Sequence, residues 1–310
     1  MTYVLQRVAY AVLVLFLVSI VTFVGLHVAP GDVTTSVLNP TTTPPEVIQA
    51  LREQLGLDQP ILVQYWNYLH GLLTGDLGLS LVDRVPVRTV IANSAGYTVV
   101  LAVAAFVVTF GLGIPLGAIS AIRKGGAVDF VIRGFANLLL GIPDFVLALL
   151  LILVVAVHLH WLPVSGASSW RNLIMPAFVL AAEPLGLTIR VTRVAFLENR
   201  QADYVRTLRA RGVSGIRIDW RHILRNSMTA VVSLGAVQVR TLLGYALIVE
   251  VIFRWPGLGY QLVHSILQRD YAVTQSLVLL LAAVVVISST LGDLLLAWVD
   301  PRIRTGGARE

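Results

Sequence analysis

The sequence predicts an all-α integral membrane protein with six transmembrane helices. Of its 310 residues, 56% are hydrophobic and only 13% carry a charge, whereas about 25% of the residues of ordinary soluble domains are charged. The apolar residues also collect into six runs near the length of about 20 residues that an α-helix needs to cross a bilayer. Composition and run length together exclude a soluble globular protein.

The six apolar runs are interpreted, in chain order, as spans at residues 8–28, 97–122, 134–157, 173–189, 228–249 and 274–299. The first run could be a removable signal peptide, but it is longer than a signal's hydrophobic region and has no small-x-small exit, so we expect a retained anchor. The predicted organisation is an amino-terminal anchor (1–28), an extracytoplasmic segment (29–93), a five-helix core (94–300) and a carboxy-terminal tail (301–310).

The distribution of basic residues predicts the orientation of these spans. Sixteen of the 23 Lys and Arg residues lie at the amino terminus, after the second run, between the fourth and fifth runs, and at the carboxy terminus. Because cytoplasmic loops are enriched in Lys and Arg, we expect both termini and the basic loop 190–226 in the cytoplasm. The same pattern accounts for the net charge of +6 without a nucleic-acid partner.

The extracytoplasmic segment 29–93 contains two helical patterns. Pro45 and Glu46 predict the start of a helix that runs to Leu55, with Gly56 as its stop. The second pattern, at 61–73, has apolar and aromatic residues along one side, namely Leu62, Tyr65, Trp66, Leu69 and Leu73. Such a face suits a helix resting at the lipid headgroups or, equally, a small packed lid.

A short basic helix is predicted inside the loop 190–226. Asp203 can cap its start, Gly212 suits a left-handed stop, and Arg209 and Arg211 lie where the helix macrodipole favours cations. About nine residues are too few for an isolated helix to be stable. We expect the helix to lie outside the bilayer, with nothing in its own chain to pack on, and to dock into a partner.

The residues assigned to this docking contact are Asp203, Tyr204, Arg206, Thr207, Leu208, Arg209, Arg211 and Gly212. At about 100° per residue, Tyr204, Thr207, Leu208 and Arg211 share one face of the predicted helix. The alternative is a solvated loop that touches anionic lipid through its arginines.

The loop 253–271 interrupts the helical pattern after the fifth span. Pro256 and two nearby glycines disfavour a continuing helix, and a helical pattern resumes from Tyr260 to Gln268. We interpret the segment as an outer gate formed by Arg254, Trp255, Pro256, Gly257, Leu258, Gly259 and Tyr260. An interfacial turn anchored by Trp255 and Tyr260 is an equally supported alternative.

Charged residues are rare within the predicted spans. An ionised group there is costly unless it faces a cavity or a partner, so Asp144, Glu183 and Arg240 are candidate pore residues, and Arg240 could pair with Glu183. Asp293 is expected near a cytoplasmic end, where its side chain can snorkel.

Two glycines in the second span predict close helix packing. Gly113 and Gly117 form a small-xxx-small pair around Pro115, which permits the close approach of another helix or a kink.

We find no catalytic constellation in the sequence. The absence of cysteine excludes disulfides, thiol catalysis and thiolate metal sites, and His158 and His160, two residues apart without a nearby carboxylate, make a poor metal pair. A phosphate-binding P-loop needs a lysine followed by Ser or Thr, but the single lysine, Lys124, is followed by Gly125. Transport driven by ATP would therefore need a separate nucleotide-binding subunit.

Several motifs occur in a fixed order along the chain. They are Ala29-Pro30-Gly31-Asp32, Leu55-Gly56-Leu57-Asp58-Gln59-Pro60, Gly75-Asp76-Leu77-Gly78 with Ser80, Gly113-Ile114-Pro115-Leu116-Gly117, the run from Asp203 to Gly212 continued by Arg221 to Asn226, and Trp255-Pro256-Gly257-Leu258-Gly259. With them, essentially the whole chain resembles the permease subunits of binding-protein-dependent ABC importers, in the oligopeptide/dipeptide branch, and the basic loop resembles their EAA-type coupling loop. Leu208 departs from that pattern, in which Ala is usual, and Glu183 is an unexpected acid.

The resemblance implies the type I ABC importer permease fold, with the short helix as a cytoplasmic coupling helix between the fourth and fifth spans. It implies a bacterial inner membrane protein that forms half of a translocation pathway for di- or oligopeptides. Its implied partners are a homologous second permease, two cytoplasmic ATPases that bind ATP and Mg, and an extracytoplasmic solute-binding protein. This chain would be no enzyme and would hold no cofactor or metal, and closure of the ATPases would pull the coupling helix and open the cavity outward.

Other functions remain alternatives at the level of sequence. Permeases for nickel chelates, heme or glutathione would look much the same, because another chain largely selects the solute. A secondary transporter would need inverted repeats with broken helices, and we detect no such repeat. A channel or an assembly factor would not need a capped cytoplasmic helix of this type.

Overall fold

The computed structural model describes the backbone of residues 2–28, 34, 38 and 42–299. It describes the side chains of the same residues except 2–6, 240, 291 and 293–299. The motif at 29–32 and the predicted tail at 301–310 lie outside the described residues. The described chain is helical, apart from turns and one antiparallel β-bridge between Leu79 and Pro86. It forms two compact units: unit 1 comprises residues 1–98 and 256–287, and unit 2 comprises residues 99–255 and 288–310.

We number the helices of the described residues in chain order. They are α1 (Thr2–Val28), α2 (Pro45–Gln54), α3 (Ile61–Thr74), α4 (Val87–Ile122), α5 (Ala127–Gly141), α6 (Asp144–Leu151), α7 (Arg171–Arg200), α8 (Asp203–Ala210), α9 (Gly215–Arg217), α10 (Leu224–Ile252), α11 (Leu258–Leu267) and α12 (Tyr271–Val299). Two π-helical segments adjoin them: Ile152–His158 continues α6, and Ile218–Ile223 joins α9 to α10.

Six of the helical segments correspond to the predicted spans. Four helices, α1, α4, α7 and α12, are long and apolar enough to cross a membrane, and two bent pairs raise the number to six if each pair is one span. The pairs are α5 with α6, and the segments on either side of residue 240. The all-α membrane fold predicted from composition is confirmed.

The third predicted span, at 134–157, is wrong as a single continuous helix. The chain bends by 108° between Ala127–Gly141 and Asp144–His158. Pro143 lacks a backbone N–H and disfavours the helical region for the residue before it. Ile142 accordingly has extended backbone angles, with φ −99° and ψ 122°, and a new helix begins after the proline.

In unit 1, α3 packs against α1 through aromatic and polar side chains. The hydroxyl groups of Ser19 and Tyr65 lie 2.9 Å apart, and the ring centroids of Phe23 and Tyr65 lie 5.1 Å apart. Burial, with a smaller effect from Tyr65, raises the pKa of the Tyr68 hydroxyl to about 12. Because of its contacts with Ser19 and Phe23, Tyr65 faces the protein. The other residues on the predicted apolar side of α3 include Leu62, Trp66 and Leu73, which are exposed.

The predicted first helix of this segment is confirmed as α2. It begins at Pro45 and ends at Gln54, and Gly56 follows with a φ of +68°. That positive φ, which glycine adopts without strain, explains why the helix stops there.

In unit 2, the glycine pair of α4 lies directly against α7. A Cβ at Gly113 would lie 2.7 Å from Cγ2 of Thr188, and a Cβ at Gly117 would lie 2.6 Å from Cβ of Thr192. Both distances are too short for real carbon contacts, so only glycine permits this separation of the two backbones. The close contact predicted from the small-xxx-small spacing is confirmed.

A second close contact joins α5 to α7. A Cβ at Gly186 would lie 2.9 Å from the backbone oxygen of Ala136. The apolar core around α7 also includes Phe253 and Trp255, which end and follow α10.

We expect Gly117→Ala to destabilise the protein. The added methyl group overlaps Thr192 and the backbone of α7, and overpacking of this kind costs about 1–3 kcal/mol. Gly111→Ala is the matched control, because a Cβ at Gly111 meets nothing within 4 Å and alanine is the better helix former. Thermal unfolding of the purified protein checks this, and equal melting temperatures for the two variants would contradict it.

Candidate functional site

The short basic helix is present as α8, but Asp203 does not cap it. The N-cap is Ala202, which has extended backbone angles and offers no side-chain hydrogen bond. Asp203 is instead the first helical residue, and its carboxylate is exposed, with Oδ1 3.7 Å from Nη1 of Arg206. An acid in the first turn still interacts favourably with the helix dipole, so the sequence signal was correct for the helix and wrong for the cap.

The predicted stop at Gly212 is confirmed. Gly212 has a φ of +75°, its N–H donates to the carbonyl of Arg209 at 2.9 Å, and the N–H of Val213 donates to the carbonyl of Leu208 at 3.1 Å. These two bonds form a Schellman motif, in which glycine takes the left-handed position.

The expectation that α8 has nothing in its own chain to pack on is wrong. Val205 is fully buried, and Tyr204 and Leu208 pack half-buried beside it. The buried residues of this cluster, which we call the α8 seat, are Ala118, Ala121, Phe196, Val205, Ile218 and Ile223. Apart from Val205 of α8 itself, they come from α4, α7 and the π-helical segment after α9, so the seat forms only when distant parts of the chain meet.

The α8 seat divides the predicted docking residues into two sets. Tyr204 and Leu208 face the protein, whereas Asp203, Arg206, Thr207, Arg209, Arg211 and Gly212 are exposed. The face predicted to contain Tyr204, Thr207, Leu208 and Arg211 is therefore split. The exposed surface of α8 is polar and predominantly cationic.

Arg200, at the carboxyl end of α7, reinforces the attachment of α8. Its Nη2 lies 3.6 Å from Oδ2 of Asp219, and its Nη1 donates to the backbone oxygen of Ile122 at 3.4 Å. One side chain thus connects the end of α7 to the end of α4 and to the segment after α8.

Asp129 is a buried carboxylate that the sequence analysis did not single out. Its side chain accepts hydrogen bonds from Nε and Nη2 of Arg193 at 2.9 and 3.0 Å, from Oγ of Ser120 at 2.6 Å and from the N–H of Gly125 at 3.0 Å. Nε of Arg133 lies 3.3 Å from Oδ1 of Asp129. The only local signal for Asp129 in the sequence is its place in the first turn of a helix, shortly after Gly125 and Gly126. An acid at such a position indicates the start of a helix and gives no sign of a buried contact.

The structure brings together two of the three candidate intramembrane groups. Asp144 begins α6 directly after the 108° bend, and Leu147 of α6 packs against the cluster that includes Ala182 and Leu185 of α7, on either side of Glu183. The side chains of Arg240 and Asp293 lie outside the described residues, so the Glu183–Arg240 pair stays a prediction.

The carbonyl of Pro184, next to Glu183, connects α7 to α10. It accepts hydrogen bonds from Oγ1 of Thr188 at 2.8 Å and from Nε2 of Gln238 at 3.0 Å. Both donors are buried. The acid on α7 therefore lies beside a polar contact between two helices.

In unit 2, the first residues of the predicted outer gate form a buried corner. Trp255 is 4% exposed and belongs to the apolar core, so it is not the interfacial anchor that the alternative interpretation required. The backbone N–H of Trp255 donates to the carbonyl of Glu250 at 2.8 Å, and the backbone N–H of Gly166 donates to the carbonyl of Phe253 at 2.9 Å. Arg254 is exposed, with a φ of +46°.

In unit 1, the rest of the predicted gate begins α11. The helix starts at Leu258, two residues earlier than expected, and runs to Leu267. The N–H of Leu258 donates to Oγ1 of Thr98 at 2.8 Å. Gly257, Leu258 and Gly259 are buried, and Tyr260 is partly exposed.

A second carboxylate missed by the sequence analysis, Asp270, is buried in unit 1. It precedes α12, and its side chain accepts hydrogen bonds from Oγ of Ser80 at 2.5 Å and from the N–H of Val273 at 3.3 Å. The bond to Val273 is an N-cap contact, and the bond to Ser80 fastens the loop before α4. Beside this loop lies a cavity of about 880 Å³ whose lining includes Asp76, Arg88 and Tyr271.

Among the described residues there is no group of three or more His, Asp or Glu side chains placed to hold a metal ion. The candidate site therefore consists of the helix contacts that hold α8 and of its exposed arginines.

Comparison with known families gives two matches. Residues 113–305 match the family described as "Binding-protein-dependent transport system inner membrane component". Residues 1–102 match the corresponding amino-terminal family, "Binding-prot-dependent transport system membrane comp, N-term".

Curated relatives match along almost their whole length. The glutathione transport system permease proteins GsiC of Escherichia coli (strain K12) and of Shigella dysenteriae serotype 1 (strain Sd197) are each 38% identical over 304 residues, which are 98% of this chain and 99% of the relative.

Two solved structures share the fold. Both are inward-facing conformations of the MetNI methionine ABC transporter. The CY5 native crystal form has a TM-score of 0.57 at 17% identity and covers 69% of this chain and 97% of that chain. The CY5 SeMet soak form has a TM-score of 0.56 at 18% identity and covers 68% and 96%.

Proposed function

The chain belongs to the family of inner membrane components of binding-protein-dependent transport systems, and on that premise we propose how it acts as the permease subunit of an ABC importer. Our proposal is that it carries short peptides across the bacterial inner membrane and that α8 is its contact with the ATPase subunits. The observation that carries the second part is the α8 seat, which holds a short helix firmly in its own chain while leaving its cationic face free.

We infer the remaining partners from the family and from the surface of α8. An importer of this kind needs two ATPase subunits, which would bind ATP and Mg, a homologous second permease and an extracytoplasmic solute-binding protein. The basic loop 190–226 supports a cytoplasmic position for α8 and for both termini, because Arg206, Arg209 and Arg211 are exposed and cytoplasmic loops are rich in such residues.

The proposed transmission of force follows from how α8 is held. When the ATPases close, a pull on the exposed arginines would move Val205 together with the α8 seat, because close-packed interiors transmit displacement rather than absorbing it. Arg200 would carry the same movement to the ends of α4 and α7. The spans would then tilt and open the pathway to the opposite side.

We propose that Asp144 and Glu183 face the translocation pathway. Two neighbouring carboxylates within the membrane are costly unless they meet water or a cation, and a solute that carries an ammonium group would relieve their repulsion. Peptides have such a group at their amino terminus. The exposed Arg254 would stand at the outer mouth and, with the segment to Tyr260, form the gate.

Glutathione is the second candidate solute, and the relatives favour it. The GsiC proteins named above are glutathione permeases that match this chain from end to end. Glutathione is itself a tripeptide, so both candidates present an ammonium group and carboxylates. A metal chelate or heme would present a different set of charges.

Uptake by the reconstituted complex tests the solute. We expect proteoliposomes containing the chain, its second permease, its ATPases and its binding protein to accumulate labelled dipeptides or tripeptides when ATP is supplied. Competition with unlabelled glutathione, a nickel chelate and heme decides among the alternatives. Uptake of nickel or heme in preference to every peptide would contradict the proposed solute class.

Charge reversal on α8 tests the docking surface. We expect Arg209→Glu combined with Arg211→Glu to lower ATP-driven uptake by about tenfold or more, because reversed charges oppose a complementary surface. The control is Arg171→Glu, a single charge reversal at an exposed residue at the other end of α7. Equal uptake by the double variant and the control would count against docking through α8.

Single cysteines test the pathway and the orientation, since the chain has no cysteine of its own. We expect a cationic, membrane-impermeant thiol reagent to label cysteines at Asp144 and Glu183, with protection by solute, and to leave a cysteine at the buried Ala181 unlabelled. Arg254→Cys should react from outside the cell and Arg206→Cys only from the cytoplasmic side. The reverse sidedness would refute the orientation.

A further inference from the structure

The carboxylate of Asp129 joins parts of three helices in unit 2. It is 1% exposed, and its partners are Ser120 on α4, Gly125 in the following loop and Arg193 on α7, while Asp129 itself lies in the first turn of α5. We call this set of contacts the Asp129 clamp. The two nearly parallel bonds from Arg193 fix the orientation of the guanidinium group as well as its distance.

The Asp129 clamp resists partial displacement. If α5 moved relative to α7, Asp129 would lose both bonds from Arg193, and the largely buried guanidinium group would lose its carboxylate partner, which is strongly unfavourable for a buried charge. The clamp therefore makes the amino-terminal end of α5 follow α7.

A continuous series of contacts runs from α8 to the bend between α5 and α6. Val205 of α8 shares the α8 seat with Phe196 of α7, and Arg193 lies three residues before Phe196 on the same helix. Arg193 holds Asp129 on α5, and α5 ends at Gly141, where the 108° bend leads to Asp144.

We propose that Asp129 is a positioning residue which passes the movement of α8 and α7 to α5, and through it to the bend in front of Asp144. This inference rests on the proposed function, since it assigns a route to the force that the ATPases supply. The carboxylate touches no solute; it acts through Arg193 and the orientation of α5.

Two conservative variants test the clamp in the full complex. Asp129→Asn keeps the side-chain shape and loses the charge, and Arg193→Lys keeps the charge and loses the forked geometry. We expect each to lower the number of solute molecules taken up per ATP hydrolysed by about tenfold, with unchanged co-purification of the ATPases. The matched control is Arg190→Lys, at an exposed residue three positions earlier on α7, and it should retain the wild-type ratio.

A distance measurement separates positioning from a merely structural role. Spin labels at Leu138 on α5 and Leu149 on α6, both exposed, report on the bend. We expect their separation to change when ATP is trapped in wild-type and Arg190→Lys complexes, and to lose that change in Asp129→Asn and Arg193→Lys complexes that still trap ATP.

The possible outcomes are distinguishable. A wild-type complex that takes up no solute with ATP refutes the proposed function. A working wild-type complex whose Asp129→Asn and Arg193→Lys variants keep both the uptake ratio and the distance change overturns the clamp alone. If neither variant assembles, the double variant Asp129→Arg with Arg193→Asp, which exchanges the two charges, is measured. If it restores assembly but not the distance change, the clamp is structural and the proposal is also overturned.

Discussion

Close packing around α7 is the constraint on which unit 2 depends. In the most apolar stretch of this helix, 72% of the residues are buried. The corresponding shares in α1, α4 and α12 are 11%, 22% and 28%. Lipid is as apolar as a leucine side chain, so helices in a membrane associate mainly through close van der Waals contact and polar bonds. Glycines on α4 and on α7 itself allow that approach, and Arg193, Thr188 and the carbonyl of Pro184 add the polar bonds.

The arrangement around α7 explains how a helix of eight residues is held in place. Such a helix is too short to be stable in isolation, but Val205 is held among residues of three other segments. The stability of α8 therefore derives from α4 and α7, and any load on α8 is a load on them. A short helix on a flexible loop would instead absorb the displacement in its own connections.

Local signals in the sequence predicted much of this structure, and the failures have a common cause. Gly212, Gly56 and the pair Gly113 and Gly117 were interpreted correctly, because a left-handed φ or a close approach requires glycine at that position. Pro143 was equally local, but the long apolar run around it concealed the bend. Val205, Asp129 and Asp270 were missed, since each depends on partners 60 or more residues away or in several segments. A single sequence carries no local signal that pairs such distant residues.

The hydrogen bond between Ser80 and Asp270 has a consequence for biosynthesis. The two residues are 190 positions apart in the chain, and at roughly 5–20 residues per second a ribosome needs about 10–40 seconds to travel that far. During that interval the serine hydroxyl has no carboxylate to bind, although the helices on both sides of its loop are already synthesised. Unit 1 is thus begun first and completed near the end of translation, and a chain truncated before Asp270 would hold that loop only through its own backbone bonds, such as that from Ser80 to Val85.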